Sequence, residues 1–368
     1  MTINPDYVFL FTLITREVES VDDSCFGLER RVMNGLERVK RSIEFQGPDQ
    51  LPVAGNCMRY VAHGDVVYHF PNMRGVAWWL GDGNGVDEWG CRWISERPGD
   101  MGQVREHPLK ALDQFAQGPR PDGADAFRYE ALTNELPDRP DAYHIYCNGP
   151  CLFERMHFLR GFDTLLMDMA TDPDGFKLFA EWVVQYQEQT IAYLAAHFKG
   201  RVHAVRCTDD LGTQLNTIMS PTHFRELLKP YYARVADLCH RHGMHFWLHS
   251  CGKIDGLLDD LIDAGLDVIN MLQPRIFDLP ELGRRFAGRL AFENYPDFQL
   301  SVPTGNRQII RQDIAEQLKY LATPQGGYIA AWMEPRYLKS ECDILDETMS
   351  DYITQTYREL DPYRQAGT

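Results

Sequence analysis

The sequence predicts an α/β protein: a single (β/α)8 barrel with an N-terminal extension and an insertion over the barrel mouth. Three observations predict it. From Tyr143 onward, short β-branched or aromatic runs alternate with longer amphipathic stretches, and strand followed by helix several times over implies a parallel sheet, because parallel neighbours need a crossover connection. No Gly-x-Gly-x-x-Gly follows a strand and no Walker loop is present, so the open nucleotide-binding sheet that fits the same rhythm lacks its signature. Polar and ionisable residues recur just after the strand runs, at Asp209-Asp210, His249 to Cys251, Gln273, Glu293 and Glu334. In a barrel those positions converge on the C-terminal mouth, where such folds carry their chemistry.

Taken in order, Arg30 to Phe45 reads as a basic amphipathic helix that ends before Gly47-Pro48-Asp49, and Leu51-Pro52-Val53 as entry to a first strand. Residues 71–140 are rich in Gly, Pro, Trp and Asp, with a hairpin expected around Trp89 to Trp93. We read them as an irregular insertion within one domain spanning residues 1–368. The expected strands are Tyr143 to Tyr146, Val202 to Cys207, Met244 to Leu248, Asp267 to Leu272, Leu290 to Asn294 and Gly327 to Trp332. Thr171-Asp172-Pro173 and Ser220-Pro221 each supply an N-cap and a proline for the first helical turn. The helix after Ser220 keeps Phe224, Leu227, Leu228, Tyr231, Val235 and Leu238 on one face until Gly243, and Asp255 to Ala264 repeats the pattern before Gly265.

Composition narrows the function. The chain of 368 residues has 37 Lys+Arg against 53 Asp+Glu, a formal net charge of −16. A protein that tracks nucleic acid or an anionic membrane needs a concentrated basic face, so both partners are excluded from the expectation. With 44% hydrophobic and 24% charged residues the composition is that of a globular protein. No run approaches the ~18 apolar residues of a membrane span. The N-terminus carries Asp6 and no basic residue before Arg16, unlike a secretory signal, and nine scattered Cys point to a reducing, cytoplasmic setting.

The sharpest chemical feature is Leu248-His249-Ser250-Cys251-Gly252 at a strand end. Residues i and i+2 of a strand point the same way, so the imidazole and the sulfur face one point, and Gly252 lets the chain turn. Imidazole and thiolate are two of the ligands Zn²⁺ prefers, and an open fourth position marks a catalytic site. A satisfied strand-end His beside a buried Cys is the plainer alternative. For a third ligand, Glu334 is better placed for the mouth than Cys342, which lies further past the last strand; Cys207 is another candidate. His245 reads as a packed core residue. Asp209 and Asp210 are adjacent carboxylates suited to general acid and base work, or to capping a loop. Glu293 reads as a catalytic group, a metal ligand or a partner of one. Gln214, Gln273 and Trp89 are candidates for contact with substrate, and Trp78-Trp79 and Trp89 to Trp93 for the lining of an apolar pocket or for core or lid packing.

A set of motifs in fixed order carries a family resemblance. Arg38-Val39 to Phe45 with Gly47-Pro48-Asp49-Gln50-Leu51-Pro52-Val53, Val86-Asp87-Glu88-Trp89-Gly90-Cys91, Glu106-His107-Pro108-Leu109, Asp209-Asp210-Leu211-Gly212-Thr213-Gln214, His249-Ser250-Cys251-Gly252, Leu272-Gln273-Pro274 and Gly326-Gly327-Tyr328-Ile329 together resemble the uroporphyrinogen decarboxylase superfamily over about residues 28–350. The resemblance implies a single (β/α)8 barrel. The decarboxylases proper carry an Arg-rich motif and an essential Asp where this chain has Ala54-Gly55-Asn56-Cys57-Met58-Arg59-Tyr60, so tetrapyrrole decarboxylation is not expected. The His-Ser-Cys-Gly motif is similar to that of the corrinoid-linked methyltransferase branch, in which His249, Cys251 and a later Cys would bind zinc. Here Trp332-Met333-Glu334-Pro335 follows the Gly-Gly strand where the family has that Cys. The resemblance implies methyl transfer between a small methylated or methoxylated compound, or a thiol, and a methylcorrinoid (cobalamin) carried by a partner protein. It also makes a homodimer an expectation. The alternatives are a metal-independent decarboxylase or lyase using Asp209 or Asp210 with Arg59 and Arg206, and a non-catalytic small-molecule-binding protein.

Overall fold

A computed structural model describes residues 32–54, 64–76, 84–96, 102–331 and 347–364. From Met33 onward the chain forms one compact unit. Its centre is a seven-stranded sheet of β1 (Val66–His69), β5 (Tyr143–Pro150), β6 (Ala204–Thr208), β7 (His245–His249), β8 (Val268–Met271), β9 (Ala291–Asn294) and β10 (Tyr328–Ala330), every neighbouring pair parallel. The two edges meet through Val53, which bridges Ala330, and Ala54, which bridges Val66, both parallel. Ala54 N–H donates to the Ala330 carbonyl at 2.8 Å and Ala330 N–H to the Pro52 carbonyl at 2.9 Å. A very short eighth stave thus closes the (β/α)8 barrel at the point where the sequence predicts a first strand.

All six strands expected after residue 143 form, within a few residues of their predicted ends. The strand β1 was not expected, because four buried residues with no alternation give no periodic signal. Around the barrel lie α3 (Phe153–Arg160), α4 (Phe162–Thr171), α5 (Pro173–His197), α6 (Pro221–Leu227), α7 (Lys229–Arg241), α8 (Leu258–Asp263), α9 (Leu279–Phe286), α10 (Arg307–Leu321) and α11 (Glu347–Glu359). Asp172 caps α5 by accepting from Gly175 N–H, and Ser220 caps α6 by accepting from His223 N–H. The single helix expected after Ser220 is two, broken at Leu228, since Pro230 has no N–H for the ladder and its ring excludes the preceding turn.

The family-like N-terminal motif is structural. Helix α1 (Gly35–Ile43), capped by Asn34, lies against β5, β10 and β1. Arg38, 5% exposed, pairs with Asp49 at 2.7 Å and with Asp65 at 2.5 Å, and Asp65 in turn accepts from the N–H of Val53 at 2.9 Å. Gly327 N–H donates to the Ser42 carbonyl at 2.8 Å. A Cβ on Gly327 would fall 2.5 Å from the ring of Phe45, so the Gly-Gly pair is what lets β10 approach α1 so closely.

The insertion between β1 and β5 contains an antiparallel sheet of β2 (Gly85–Val86), β3 (Arg92–Ile94) and β4 (Gln103–Glu106), short 3-10 turns and α2 (Glu130–Glu135). The predicted hairpin is β2–β3. Asp87 holds its turn, accepting from Trp89 N–H and Cys91 N–H at 2.9 Å and from the Trp93 indole at 2.8 Å. Arg128 grips Glu88 with both ends of its guanidinium, at 2.8 and 2.6 Å. Trp89 packs edge-on against Trp182 and Tyr186 of α5, with Arg155 of α3 over its face, so the described part of the insertion rests on the flank helices. Trp78 and Trp79 lie outside the described residues.

Two stability predictions follow from these buried polar groups. Arg38→Met strands two carboxylates, and urea unfolding should show a loss of about 3–5 kcal/mol. Burial, with neighbouring His69 second, holds the His144 imidazole down to about 4, against ~6.5 in the unfolded chain. The unfolded state therefore binds the extra proton between those values. This contribution is complete above pH ~6.5 and disappears as the pH falls through ~4, about 3 kcal/mol in all, and His144→Asn should flatten that part of the stability–pH curve.

Candidate metal centre at the barrel mouth

Alternation along β7 sends His245, Trp247 and His249 inward. At the inner end His245 Nδ1 meets the Tyr143 hydroxyl at 2.5 Å and Nε2 lies 3.6 Å from Glu44, a structural place far down the strand from His249. At the outer end His249 Nε2 is 3.5 Å from Cys251 Sγ and 3.7 Å from Asp210 Oδ1. Asp210, His249 and Cys251 each offer one ligand atom, all within 4.8 Å of one another, and they are the only such group among the described residues. Tetrahedral zinc with bonds of about 2.0 Å to nitrogen and 2.3 Å to sulfur separates those two ligands by roughly 3.5 Å. A carboxylate, an imidazole and a thiol at these separations fit a zinc ion with a position left open.

The loops that carry the cluster are locked together. Cys251 N–H donates to Asp210 Oδ1 at 2.7 Å, Gly252 N–H to Gln273 Oε1 at 2.9 Å, and Lys253 N–H to the Thr213 carbonyl at 2.7 Å. Gly252 has φ +81°, and a Cβ there would stand 2.2 Å from the carbonyl oxygen of Gly212. Burial lowers the His249 pKa, with the Asp210 charge opposing it, so the imidazole is held in the neutral form that ligates metals.

The adjacent carboxylates have separate fates. Asp209 is fully buried and accepts from the N–H groups of Leu152, Phe153 and Glu154 at 2.8, 3.1 and 2.6 Å, at the start of α3, and from the Tyr232 hydroxyl at 2.5 Å. Burial outweighs these bonds and pushes its pKa up to about 6. Asp210 turns the other way, into the cluster, with 42% of its side chain exposed.

Glu293 lies below the cluster, fully buried, taking hydrogen bonds from the Tyr68 hydroxyl and, at 2.8 Å, from the Trp247 indole, with Arg206 at 3.9 Å. Burial raises its pKa against the pull of Arg206. Gln273 braces the Gly252 turn, Gln214 is exposed on its loop, and Trp89 belongs to the insertion's packing. Cys207 points out of the barrel, its Sγ 3.5 Å from Gln187 of α5. Glu334, Cys342 and Arg59 lie outside the described residues.

Sequence reasoning missed two residues. Glu154 meets Thr208 Oγ1 at 2.6 Å, and burial, then Asp210 and Asp209, raise its pKa. Asn270 accepts from His249 Nδ1 at 2.6 Å. Glu154 opens a helix and Asn270 sits inside a buried strand, so neither carries a strand-end signal.

Residues 153–278 match the family model described as uroporphyrinogen decarboxylase (URO-D), a segment that contains the whole cluster. Among solved structures, a methyltransferase from Methanosarcina mazei superposes with a TM-score of 0.63 at 14% identity, over 89% of this chain and 99% of that one. A glycosylated endo-beta-1,4-xylanase from Gloeophyllum trabeum follows at TM-score 0.42, 10% identity, 64% and 81% coverage. D-psicose 3-epimerase from Clostridium cellulolyticum H10 gives 0.40, 11%, 62% and 81%. No curated protein matches the chain. The resemblance read from the motifs is borne out over residues 153–278, where the chain is similar to uroporphyrinogen decarboxylase, and the chain has the (β/α)8 fold of the Methanosarcina mazei methyltransferase. No described helix is long and apolar enough to cross a membrane.

Gly252→Ala should displace the Cys251 turn. Titration with cobalt(II), followed by its visible absorption, is expected to show affinity lowered about tenfold or more, with the fold retained by circular dichroism.

Proposed function

We propose that this chain is a zinc-dependent methyltransferase that works with a corrinoid protein, acting on a small methylated or methoxylated compound or on a thiol acceptor, in the cytoplasm. The observation that carries the reading is the Asp210, His249, Cys251 cluster at the C-terminal mouth of a uroporphyrinogen decarboxylase-like barrel. The methyltransferase likeness supports it through the fold.

When bound, zinc would supply a Lewis acid that lowers the pKa of a coordinated thiol or polarises a coordinated oxygen. His249 and Cys251 would hold it from β7 and the turn that follows. Asp210, with 42% of its side chain exposed against 13% for His249, would complete the set from the solvent side. Gln273 keeps Cys251 in register by fixing the next backbone amide. Glu334 and Cys342 remain further ligand candidates. Of the groups that the metal-free lyase reading invokes, Asp209 is engaged by the start of α3 and Arg206 by Asn270 and Glu293, Asp210 belongs to the cluster, and Arg59 lies outside the described residues.

Elemental analysis of the purified chain should find about one zinc per chain, and the His249→Ala/Cys251→Ala double variant almost none. Equal metal content in both proteins, or none in either, overturns the reading. Given metal, methyl transfer from methylcobalamin to a panel of thiols, and its reverse with methoxylated compounds, would separate the two directions.

A further inference from the structure

We infer that Asn270, oriented by Arg206, decides which nitrogen of His249 carries the proton, and so presents the other nitrogen as a metal ligand. Its functional consequence rests on the zinc reading above, whereas the placement of the proton follows from geometry alone.

Arginine has only donors. Arg206 Nη2 stands 2.8 Å from one atom of the Asn270 amide, so that atom is the oxygen, since the reversed amide would set donor against donor. The other end of the amide gives the same answer independently. It lies 2.9 Å from the backbone carbonyl oxygen of Glu293, which only accepts, so it is the NH₂. Oδ1 is also 2.6 Å from His249 Nδ1. An acceptor at that distance requires the proton on Nδ1, and a neutral imidazole carries just one. The lone pair is left on Nε2, the nitrogen that faces Cys251 Sγ and Asp210 Oδ1.

The support extends into the barrel. His249, Asn270 and Glu293 are register partners on β7, β8 and β9, and Arg206 comes from neighbouring β6. Arg206 is 6% exposed, and its Nε lies 3.9 Å from the Glu293 carboxylate, which Tyr68 and Trp247 hold in place. A buried ion pair thus sets the sense of an amide, and the amide sets the tautomer of a ligand. Arg206, Asn270 and Glu293 are positioning residues.

Long-range ¹H–¹⁵N correlation on histidine-labelled, metal-free protein reads the tautomer directly, with His249→Gln for assignment. His249 in the unmodified chain should show the Nδ1–H pattern. Asn270→Asp gives up the donation to the Glu293 carbonyl but keeps an acceptor toward Nδ1 and should keep the pattern, and Asn270→Leu and Arg206→Met should lose it for a mixture or the Nε2–H form. Cobalt(II) affinity, measured by competition, should fall about 10–100-fold in the latter two and stay within a few-fold in Asn270→Asp. An Nε2–H pattern in the unmodified chain, or an unchanged pattern in Asn270→Leu, overturns the inference even if cobalt binds. The expected tautomers without cobalt binding by the unmodified chain would uphold it and refute the zinc reading.

Discussion

A parallel strand at a sheet edge exposes a row of unpaired amide and carbonyl groups, and here that row is covered by Val53 and Ala54, which join β10 to β1. Closure is what turns alternation along each strand into an inside and an outside. The ion pair of Arg38 with Asp65 holds this short stave, because Asp65 receives both the guanidinium and the Val53 amide. Among the family-like motifs, Arg38 to Val53 serves this closure and Gly326-Gly327 the close approach of β10 to α1.

Inside the barrel the consequence is a vertical order. Glu293, Arg206, Tyr68 and Trp247 come from four strands and meet in the buried interior, where Tyr68 and Trp247 donate to Glu293 and Arg206 stands 3.9 Å from it. Ionic groups this deep are costly unless paired and hydrogen-bonded; here Arg206 and Glu293 face each other, Glu293 accepts from Tyr68 and Trp247, and Arg206 Nη2 donates to Asn270. Above them Asn270 and His249 pass the polarity upward to a cluster that opens on solvent at Asp210. Strand β7 holds the imidazole, and a glycine-bounded turn holds the sulfur.

Much of this was legible in the chain. Six strands, the caps at Asp172 and Ser220, the β2–β3 hairpin and the pairing of His249 with Cys251 all follow from local rules of periodicity, capping and i, i+2 alternation. What escaped were features with no local signature. Strand β1 is uniformly buried, Pro230 breaks a helix whose apolar rhythm runs straight through it, and Glu154 and Asn270 acquire meaning only from what packs against them. Glu293, which as a strand-end residue reads as a catalytic group, a metal ligand or a partner of one, has its side chain among Tyr68, Trp247 and Arg206 below the mouth.

The sequence by itself determined the barrel class, the pairing of an imidazole with a thiol at one strand end, and the acidic composition that argues against nucleic acid. Only the tertiary structure decided the division of labour between Asp209 and Asp210. Adjacent residues on a turn face different surroundings, and the start of α3 claims one carboxylate while the His249–Cys251 pair receives the other. That choice is made by groups more than thirty residues away in sequence, which no local pattern encodes.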